Sequence, residues 1–232
     1  MSRTTEFNRG APLGRDLGRR LFQAALIQSS VLGGVAALWP AGLASPRIWV
    51  LVGVGLAANA LQPTYSLREG SRTPHDRASG VQIVWTVYLV QLAAVVEWLW
   101  RRPESGLDPV STGATLLMVG GLALRTWAVA TLGRFFTWNV EVQGDQSVIT
   151  AGPYRRVRHP SYTGAFMMFW GATLLLHAWF TSPLAFFALA LAFRRRIELE
   201  ETLLLREIPG YEAYVKQTGS MLPRVGALLG RK

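Results

Sequence analysis

The sequence contains no cysteine and only three histidines, which limits the chemistry it can support. Without cysteine there is no disulfide framework, no thiolate nucleophile and no cysteine-ligated metal. The histidines His75, His159 and His177 are far apart and lack the spacing typical of metal ligands. The sequence therefore predicts no metal site.

The chain is also poor in charge. Charged residues make up 16% of its 232 residues, while half of the residues are apolar, including nine Trp and ten Phe. A soluble domain carries about 25% charged residues, because it must cover its surface with polar groups. The deficit predicts that much of the surface faces lipid.

Six apolar stretches predict an all-α, polytopic bundle of membrane helices. They cover residues 21–43, 48–67, 81–100, 110–132, 163–179 and 182–193. The first four have the length of about 20 residues that a spanning helix needs. The last two are shorter, lie close together and predict a helical hairpin. Helices are expected because a backbone in lipid must satisfy its own hydrogen bonds.

The formal net charge of +10 is explained by membrane topology. If all six stretches cross the membrane, most Lys and Arg residues fall on one side, together with both termini. This asymmetry is the positive-inside pattern and predicts cytoplasmic N- and C-termini. It also removes the reason to expect a nucleic-acid partner.

The chain divides into three regions by composition. Residues 1–18 are polar and predict a loose or interfacial tail. Residues 19–132 predict a four-helix transmembrane region, and residues 133–232 carry the polar motifs. The N-terminal run also has features of a signal peptide, but its length favours an uncleaved first helix.

A polar loop and a helix start follow the fourth apolar stretch. The loop spans residues 133–152 and is expected on the cytoplasmic side, and the sequence Arg158-His159-Pro160-Ser161-Tyr162 follows it. Proline suits the first turn of a helix, where its missing N–H would be unpaired anyway. His159 or Ser161 would cap this helix, whose free N–H groups favour an anionic ligand.

A second polar segment, residues 194–206, is a strong helix former. Arg196 and Glu200 are four residues apart and therefore share a helix face. Taken alone, the segment is typical of an exposed helix with a local ion pair.

Together these segments resemble the isoprenylcysteine carboxyl methyltransferase family. The resemblance covers residues 132–223 and rests on four motifs: Gly152-Pro153-Tyr154, Arg158-His159-Pro160-Ser161-Tyr162-Thr163-Gly164, Arg196-x3-Glu200-Glu201-x2-Leu204, and Pro209-Gly210-Tyr211-x2-Tyr214 with Pro223. It implies an integral membrane methyltransferase that uses S-adenosyl-L-methionine. The implied reaction is O-methylation of the carboxylate of a prenylcysteine or a related isoprenoid acid.

The resemblance also implies the site residues. Those expected around the cofactor are Glu141, Gln146, Ser147, Val148, Ile149, Tyr154, His159, Pro160, Ser161, Tyr162 and Glu200. The family often has His where this chain has Gln146. Arg196 would face the acceptor, and Arg196 and Glu200 form the expected catalytic pair.

The chemistry of the donor agrees with these roles. Glu200 can pair with the ammonium group of S-adenosylmethionine, and the helix start at His159 can receive its carboxylate. An acceptor carboxylate, with a pKa of about 3.5, is already ionised and needs no general base. The planar fork of Arg196 suits such an acceptor better than a lysine would.

Other functions remain open at the level of sequence. A phospholipid amine or a small thiol would keep the cofactor and change the acceptor. A sterol-type membrane reductase using NADPH shares a similar Arg-His-Pro-x-Tyr segment, and a non-catalytic lipid-binding scaffold is the last alternative. The expected partners are a lipophilic or prenylated substrate and membrane lipid. The sequence does not indicate whether the protein is a monomer or an oligomer.

Overall fold

The computed structural model describes residues 17–62, 75–104 and 106–224. Of the predicted tail 1–18, only Leu17 and Gly18 fall within these ranges, and both belong to the first helix. The described residues form seven α-helices: α1 Leu17–Leu38, α2 Pro46–Leu61, α3 Ser79–Arg101, α4 Pro109–Leu132, α5 Pro160–Leu175, α6 Thr181–Glu207 and α7 Tyr211–Gln217. Their only β-type pairing is an isolated parallel bridge between Val157 and Gly219. The predicted all-α class is confirmed.

Three of these helices are long and apolar enough to cross a membrane. These candidate spans are Arg20–Leu38, Ser79–Arg101 and Pro109–Phe135. Helices α2 and α5 have 16 residues each, which is shorter than a typical span. These three helices identify the chain as an integral membrane protein. The six membrane crossings and the side on which each terminus lies remain predictions.

Helix α6 joins two segments that the sequence presents separately. The apolar stretch 182–193 and the charged segment 194–206 form one continuous helix of 27 residues. No Gly or Pro interrupts the junction at Phe193 and Arg194, so the helix continues. Arg196 and Glu200 therefore project from the same helix that forms one arm of the hairpin with α5.

The other end of α6 is held by α3. Buried Glu97 accepts hydrogen bonds from the backbone N–H groups of Phe180 at 3.0 Å and Thr181 at 2.8 Å. These groups belong to the first turn of α6, where N–H groups lack partners within the helix. Glu97 thus caps α6 and fixes it against α3.

Helices α4 and α5 approach closely at two glycines. A Cβ atom on Gly164 would lie 2.4 Å from the carbonyl oxygen of Gly121, and one on Gly121 would lie 2.6 Å from the carbonyl oxygen of Gly164. Small residues permit such close backbone contact between membrane helices. The contact places Arg125, one turn beyond Gly121, beside Ser161 at the start of α5.

Candidate functional site

Helix α5 begins at Pro160, as the sequence predicts. His159 occupies the N-cap position, although its side chain makes no capping bond. The backbone N–H groups of Arg158 and His159 donate to the carbonyls of Gly219 at 2.9 Å and Ser220 at 3.0 Å. The start of α5 is therefore tied to the segment after α7.

Glu201 connects this helix start to α6. Its Oε1 atom accepts a hydrogen bond from Arg158 Nε at 2.7 Å and lies 2.9 Å from His159 Nε2. Burial opposes ionisation of Glu201, but the bonds from His159 and Arg158 outweigh it and lower its pKa to about 2. The carboxylate is then ionised and only accepts, so His159 donates through Nε2.

Arg158 extends the same connection to α7. Its Nη1 atom donates to the carbonyl oxygens of Val215 at 3.3 Å and Thr218 at 2.6 Å. Arg158, His159 and Glu201 thus form a partly buried set of contacts that connects α5, α6 and α7. The family resemblance implies a role for His159 at the cofactor, whereas in the structure its side chain contacts Glu201.

Tyr162 joins the two predicted catalytic residues. Its hydroxyl donates to Glu200 Oε2 at 2.6 Å and accepts from Arg196 Nε at 3.2 Å. The ring also stacks on His159, with centroids 5.5 Å apart and planes 7° apart. Glu200, Tyr162 and Arg196, which we call the α5–α6 triad, are brought together as the motifs predict.

The interpretation of Arg196 as an exposed ion-pair partner of Glu200 is wrong. Arg196 is 4% exposed, and its ion pair is with Asp76, on the turn that precedes α3. Its Nη1 atom also donates to Ser79 Oγ at 3.0 Å, and Nη2 donates to the carbonyl oxygen of Trp138 at 2.6 Å. With the bond to Tyr162, four of the five N–H groups of the guanidinium are used.

A second buried arginine lies next to the triad. Arg125 donates from Nε to Gln62 Oε1 at 2.5 Å, and from Nη1 to the Oγ of Ser161 at 2.8 Å and its carbonyl oxygen at 3.1 Å. Its guanidinium lies over the ring of Trp138, 5.2 Å from the centroid. Trp138 therefore lies between the two arginines, with its ring against Arg125 and its carbonyl bonded to Arg196.

Arg20 joins this group from α1. It is 7% exposed, and its Nη1 atom donates to the carbonyl oxygen of Gln62 at 3.2 Å. Some buried polar atoms around the arginines have no hydrogen-bond partner among the described residues; they are Arg20 Nε, Gln62 Nε2, Asp76 Oδ2 and Asn139 Oδ1. Unpaired buried donors and acceptors are costly, so these atoms mark the network of buried arginines as a candidate polar site.

The sequence motifs did not predict that Gln62, Asp76 and Ser79 belong to this site. Arg125 is a charged residue inside the apolar stretch 110–132, a position that commonly marks a functional site. Asp76 lies in a polar segment between two spans, where an acidic residue is unremarkable. Its pairing with Arg196 joins residues 120 positions apart, and no local pattern reports that contact.

The loop before α5 has no regular structure at residues 146–150. Gln146 is partly buried, and its Oε1 atom accepts the backbone N–H of Gln143 at 3.1 Å. Val148 packs against a cluster formed by Leu204, Ile208, Tyr211 and Tyr214. Leu204 lies one turn beyond Glu200 on α6, so Val148 brings the loop to the triad side of that helix.

The remaining predicted residues differ in exposure. Ser147 is exposed, and Ile149 and Glu141 are partly buried. Burial raises the pKa of Glu141 above its ordinary value. Tyr154 is 6% exposed, its carbonyl oxygen accepts the hydroxyl of Tyr214 at 2.6 Å, and burial raises the pKa of its phenol. Tyr154 thus anchors the end of the loop to α7.

The chain is similar to known proteins over this same region. Residues 114–206 match a sequence model of the isoprenylcysteine carboxyl methyltransferase family. This match confirms the resemblance that the motifs indicate. It begins in α4 and ends in α6, so it includes Arg125, the loop and the α5–α6 triad.

Two curated relatives show the range of proteins to which the chain is similar. A probable protein-S-isoprenylcysteine O-methyltransferase of rice, Oryza sativa subsp. indica, is 34% identical in an alignment of 122 residues that covers 49% of this chain and 61% of the rice protein. The nickel-cobalt-cadmium resistance protein NccN of Alcaligenes xylosoxydans is 30% identical over 124 residues, or 53% of this chain and 56% of that protein. The matches thus span between half and two thirds of these relatives' lengths.

The fold is shared with a solved membrane enzyme. The structure of the eukaryotic intramembrane Ras methyltransferase, an isoprenylcysteine carboxyl methyltransferase, aligns with a TM-score of 0.54. The alignment covers 92% of this chain and 83% of that chain, at 24% sequence identity. The similarity therefore extends over the first three helices, which lie outside the family match, and it concerns the fold.

Proposed function

We propose that this chain, whose residues 114–206 match the isoprenylcysteine carboxyl methyltransferase family, is a membrane methyltransferase that uses S-adenosyl-L-methionine. The acceptor is the carboxylate of a prenylated cysteine or of a related isoprenoid acid. The observation that carries the proposal is the α5–α6 triad, in which Tyr162 links Glu200 to Arg196. Two oppositely charged side chains are thereby fixed at the end of an otherwise apolar helical hairpin.

The residues present fit the donor. Glu200 is partly buried and uses only Oε2 in its bond to Tyr162, so its other oxygen is available to an ammonium group. In the first turn of α5, Pro160 has no N–H group and those of Tyr162 and Thr163 donate to the His159 carbonyl oxygen, which leaves the N–H group of Ser161 for a carboxylate. The aromatic face of Tyr162 is suited to a cation. When bound, S-adenosylmethionine supplies an electrophilic methyl group on a positively charged sulfur.

The acceptor role falls to the arginine side of the triad. Arg196 keeps one N–H group that is not used by the described residues, and Arg125 makes no described bond through Nη2. Either guanidinium can hold a carboxylate oxygen toward the donor. During transfer the carbon–sulfur bond breaks with its electron pair on sulfur, and a carboxylate lone pair forms the new carbon–oxygen bond.

This reaction needs positioning more than proton transfer. An ionised carboxylate requires no general base, so the protein must hold it within about 3–3.5 Å of the methyl carbon and exclude water. The buried arginines and the surrounding apolar helices meet these two requirements. The acceptor enters from the bilayer and the cofactor from the cytoplasm, where we place both termini and the loop 133–152.

Binding of S-adenosylhomocysteine to the detergent-solubilised protein tests the cofactor assignment. Calorimetric titration should show saturable binding to the wild type, and Glu200→Gln should weaken it at least tenfold, the effect of about 1.4 kcal/mol. Glu198→Gln is the matched control, because Glu198 lies on the same helix but is exposed and paired with Arg194. A folded wild type that binds no S-adenosylhomocysteine would overturn the proposal and favour the reductase or scaffold hypotheses.

A further inference from the structure

We propose that Asp76 is a positioning residue that keeps Arg196 away from Glu200 and so leaves Glu200 available to the cofactor. The inference rests on the proposed function and extends it to a residue outside the family match, which begins at residue 114. Asp76 lies on the turn before α3, in a region that the motifs do not reach. Its side chain is fully buried.

Asp76, Ser79 and Arg196 form a closed arrangement. Asp76 Oδ1 accepts from Arg196 Nη1 and from Ser79 Oγ, the latter at 2.5 Å, while Arg196 Nη1 also donates to Ser79 Oγ at 3.0 Å. The first turn of α3 therefore fixes one edge of the guanidinium. Because the guanidinium is planar, its other nitrogens are then directed to Tyr162 and to the carbonyl of Trp138.

Asp76 and Glu200 are two carboxylates that could each pair with Arg196. Arg196 and Glu200 are one helical turn apart on α6, a spacing at which Arg and Glu normally pair. In this structure the ion pair of Arg196 is with Asp76, and Tyr162 lies between Arg196 and Glu200. Asp76 holds the guanidinium against the first turn of α3, and one oxygen of Glu200 makes no bond to the described residues and is left for an ammonium group.

Stability alone gives a poor account of this pair. Burying an ion pair often contributes little net stability, since desolvation offsets the attraction. Asp76 also buries its second oxygen, Oδ2, without a hydrogen-bond partner among the described residues. An unpaired buried carboxylate oxygen adds a further cost. The pair is better explained by the orientation that it imposes on Arg196.

The test is calorimetric titration of S-adenosylhomocysteine into the full-length wild type and the variants Asp76→Asn, Arg196→Gln and Asp76→Asn/Arg196→Gln. Asp76→Asn should raise the dissociation constant for S-adenosylhomocysteine about tenfold, because Arg196 then pairs with Glu200. The binding stoichiometry should not change. Arg196→Gln should bind nearly as the wild type does, and the double variant should match Arg196→Gln. Glu212→Gln, which removes an exposed acid paired with Lys216, is the control and should bind as the wild type does.

The alternatives give different results. A merely structural Asp76 would lower the stoichiometry, as part of the sample unfolds, and leave the dissociation constant unchanged. That result would overturn the inference. So would a wild-type dissociation constant for Asp76→Asn, or a double variant that binds S-adenosylhomocysteine as weakly as Asp76→Asn does. A wild type without binding would overturn the proposed function and this inference with it, whereas a binding wild type with an unaffected Asp76→Asn would overturn the inference alone.

Discussion

Tyr162 donates a 2.6 Å hydrogen bond to Glu200 and accepts one of 3.2 Å from Arg196. One phenol on α5 thus sets the distance between two charged groups on α6. The hydroxyl screens Glu200 from direct pairing with the arginine and orients both side chains. A group with this double role is expected to influence the reaction more than the fold.

Removal of the Tyr162 hydroxyl tests that role. Hydrogen bonds to charged groups contribute about 1.5–3 kcal/mol, so Tyr162→Phe should reduce the methylation rate by roughly 10- to 150-fold. The measurement is the initial rate of methyl transfer by the purified protein, beside its melting temperature. Tyr88→Phe, at a half-exposed position on α3, is the control and should keep the wild-type rate. A Tyr162→Phe variant of wild-type rate would show that the bridge has no catalytic role.

The parts predicted from the sequence are those set by local patterns. The apolar stretches located helices α1 to α6, and Pro160 located the start of α5, since proline favours the first helical turn. The Asp76–Arg196 pair was not predicted, because it joins distant segments and depends on how α3 packs against α6. The spacing of Arg196 and Glu200 is typical of a direct ion pair. That interpretation is wrong because the hydroxyl of Tyr162, on α5, lies between the two side chains.

Acid should weaken the tie between α5, α6 and α7. The pKa of Glu201 is lowered from an ordinary 4.5 to about 2, so its stabilising effect is complete above about pH 4.5 and is lost as the pH falls toward 2. A difference of this size corresponds to at most about 3 kcal/mol of the free energy of unfolding. Melting temperatures in detergent between pH 7 and pH 3 should therefore fall more steeply for the wild type than for Glu201→Gln.

The same series has a clear contrary result. Glu201→Gln should already be less stable than the wild type at pH 7, because Arg158 and His159 lose their charged partner. Parallel melting curves for the two proteins across the pH range would contradict the assigned role of Glu201. Glu212→Gln, an exposed acid on α7, provides the reference for nonspecific effects of acid.

The close contact of α4 and α5 predicts a strong effect of a single methyl group. Gly164→Ala would place a Cβ atom 2.4 Å from the carbonyl oxygen of Gly121, so the helices must separate. Overpacking of this kind typically costs about 1–3 kcal/mol, and the melting temperature should fall. Gly113→Ala is the matched control on α4, because a Cβ atom at that position would have no neighbouring atom within 4 Å. Equal melting temperatures for both variants would contradict the described packing.

The absence of cysteine makes the proposed topology directly measurable. A single cysteine at exposed Thr150, in the loop before α5, should react with an impermeant thiol reagent only from the cytoplasmic side. A cysteine at exposed Glu104, between α3 and α4, should react only from the opposite side. Labelling of both positions from one side would contradict the crossing of α4 and the predicted orientation.

The most direct test of the central claim is the chemical form of the transferred methyl group. The purified protein is incubated with methyl-labelled S-adenosylmethionine and a farnesylated cysteine that has a free carboxylate, and the product is treated with base. Our account predicts label released as methanol, the mark of a methyl ester, and its loss with Glu200→Gln or with the carboxamide form of the acceptor. Label that resists base, or transfer that is unchanged with the carboxamide, would contradict carboxyl methylation and favour an amine or thiol acceptor.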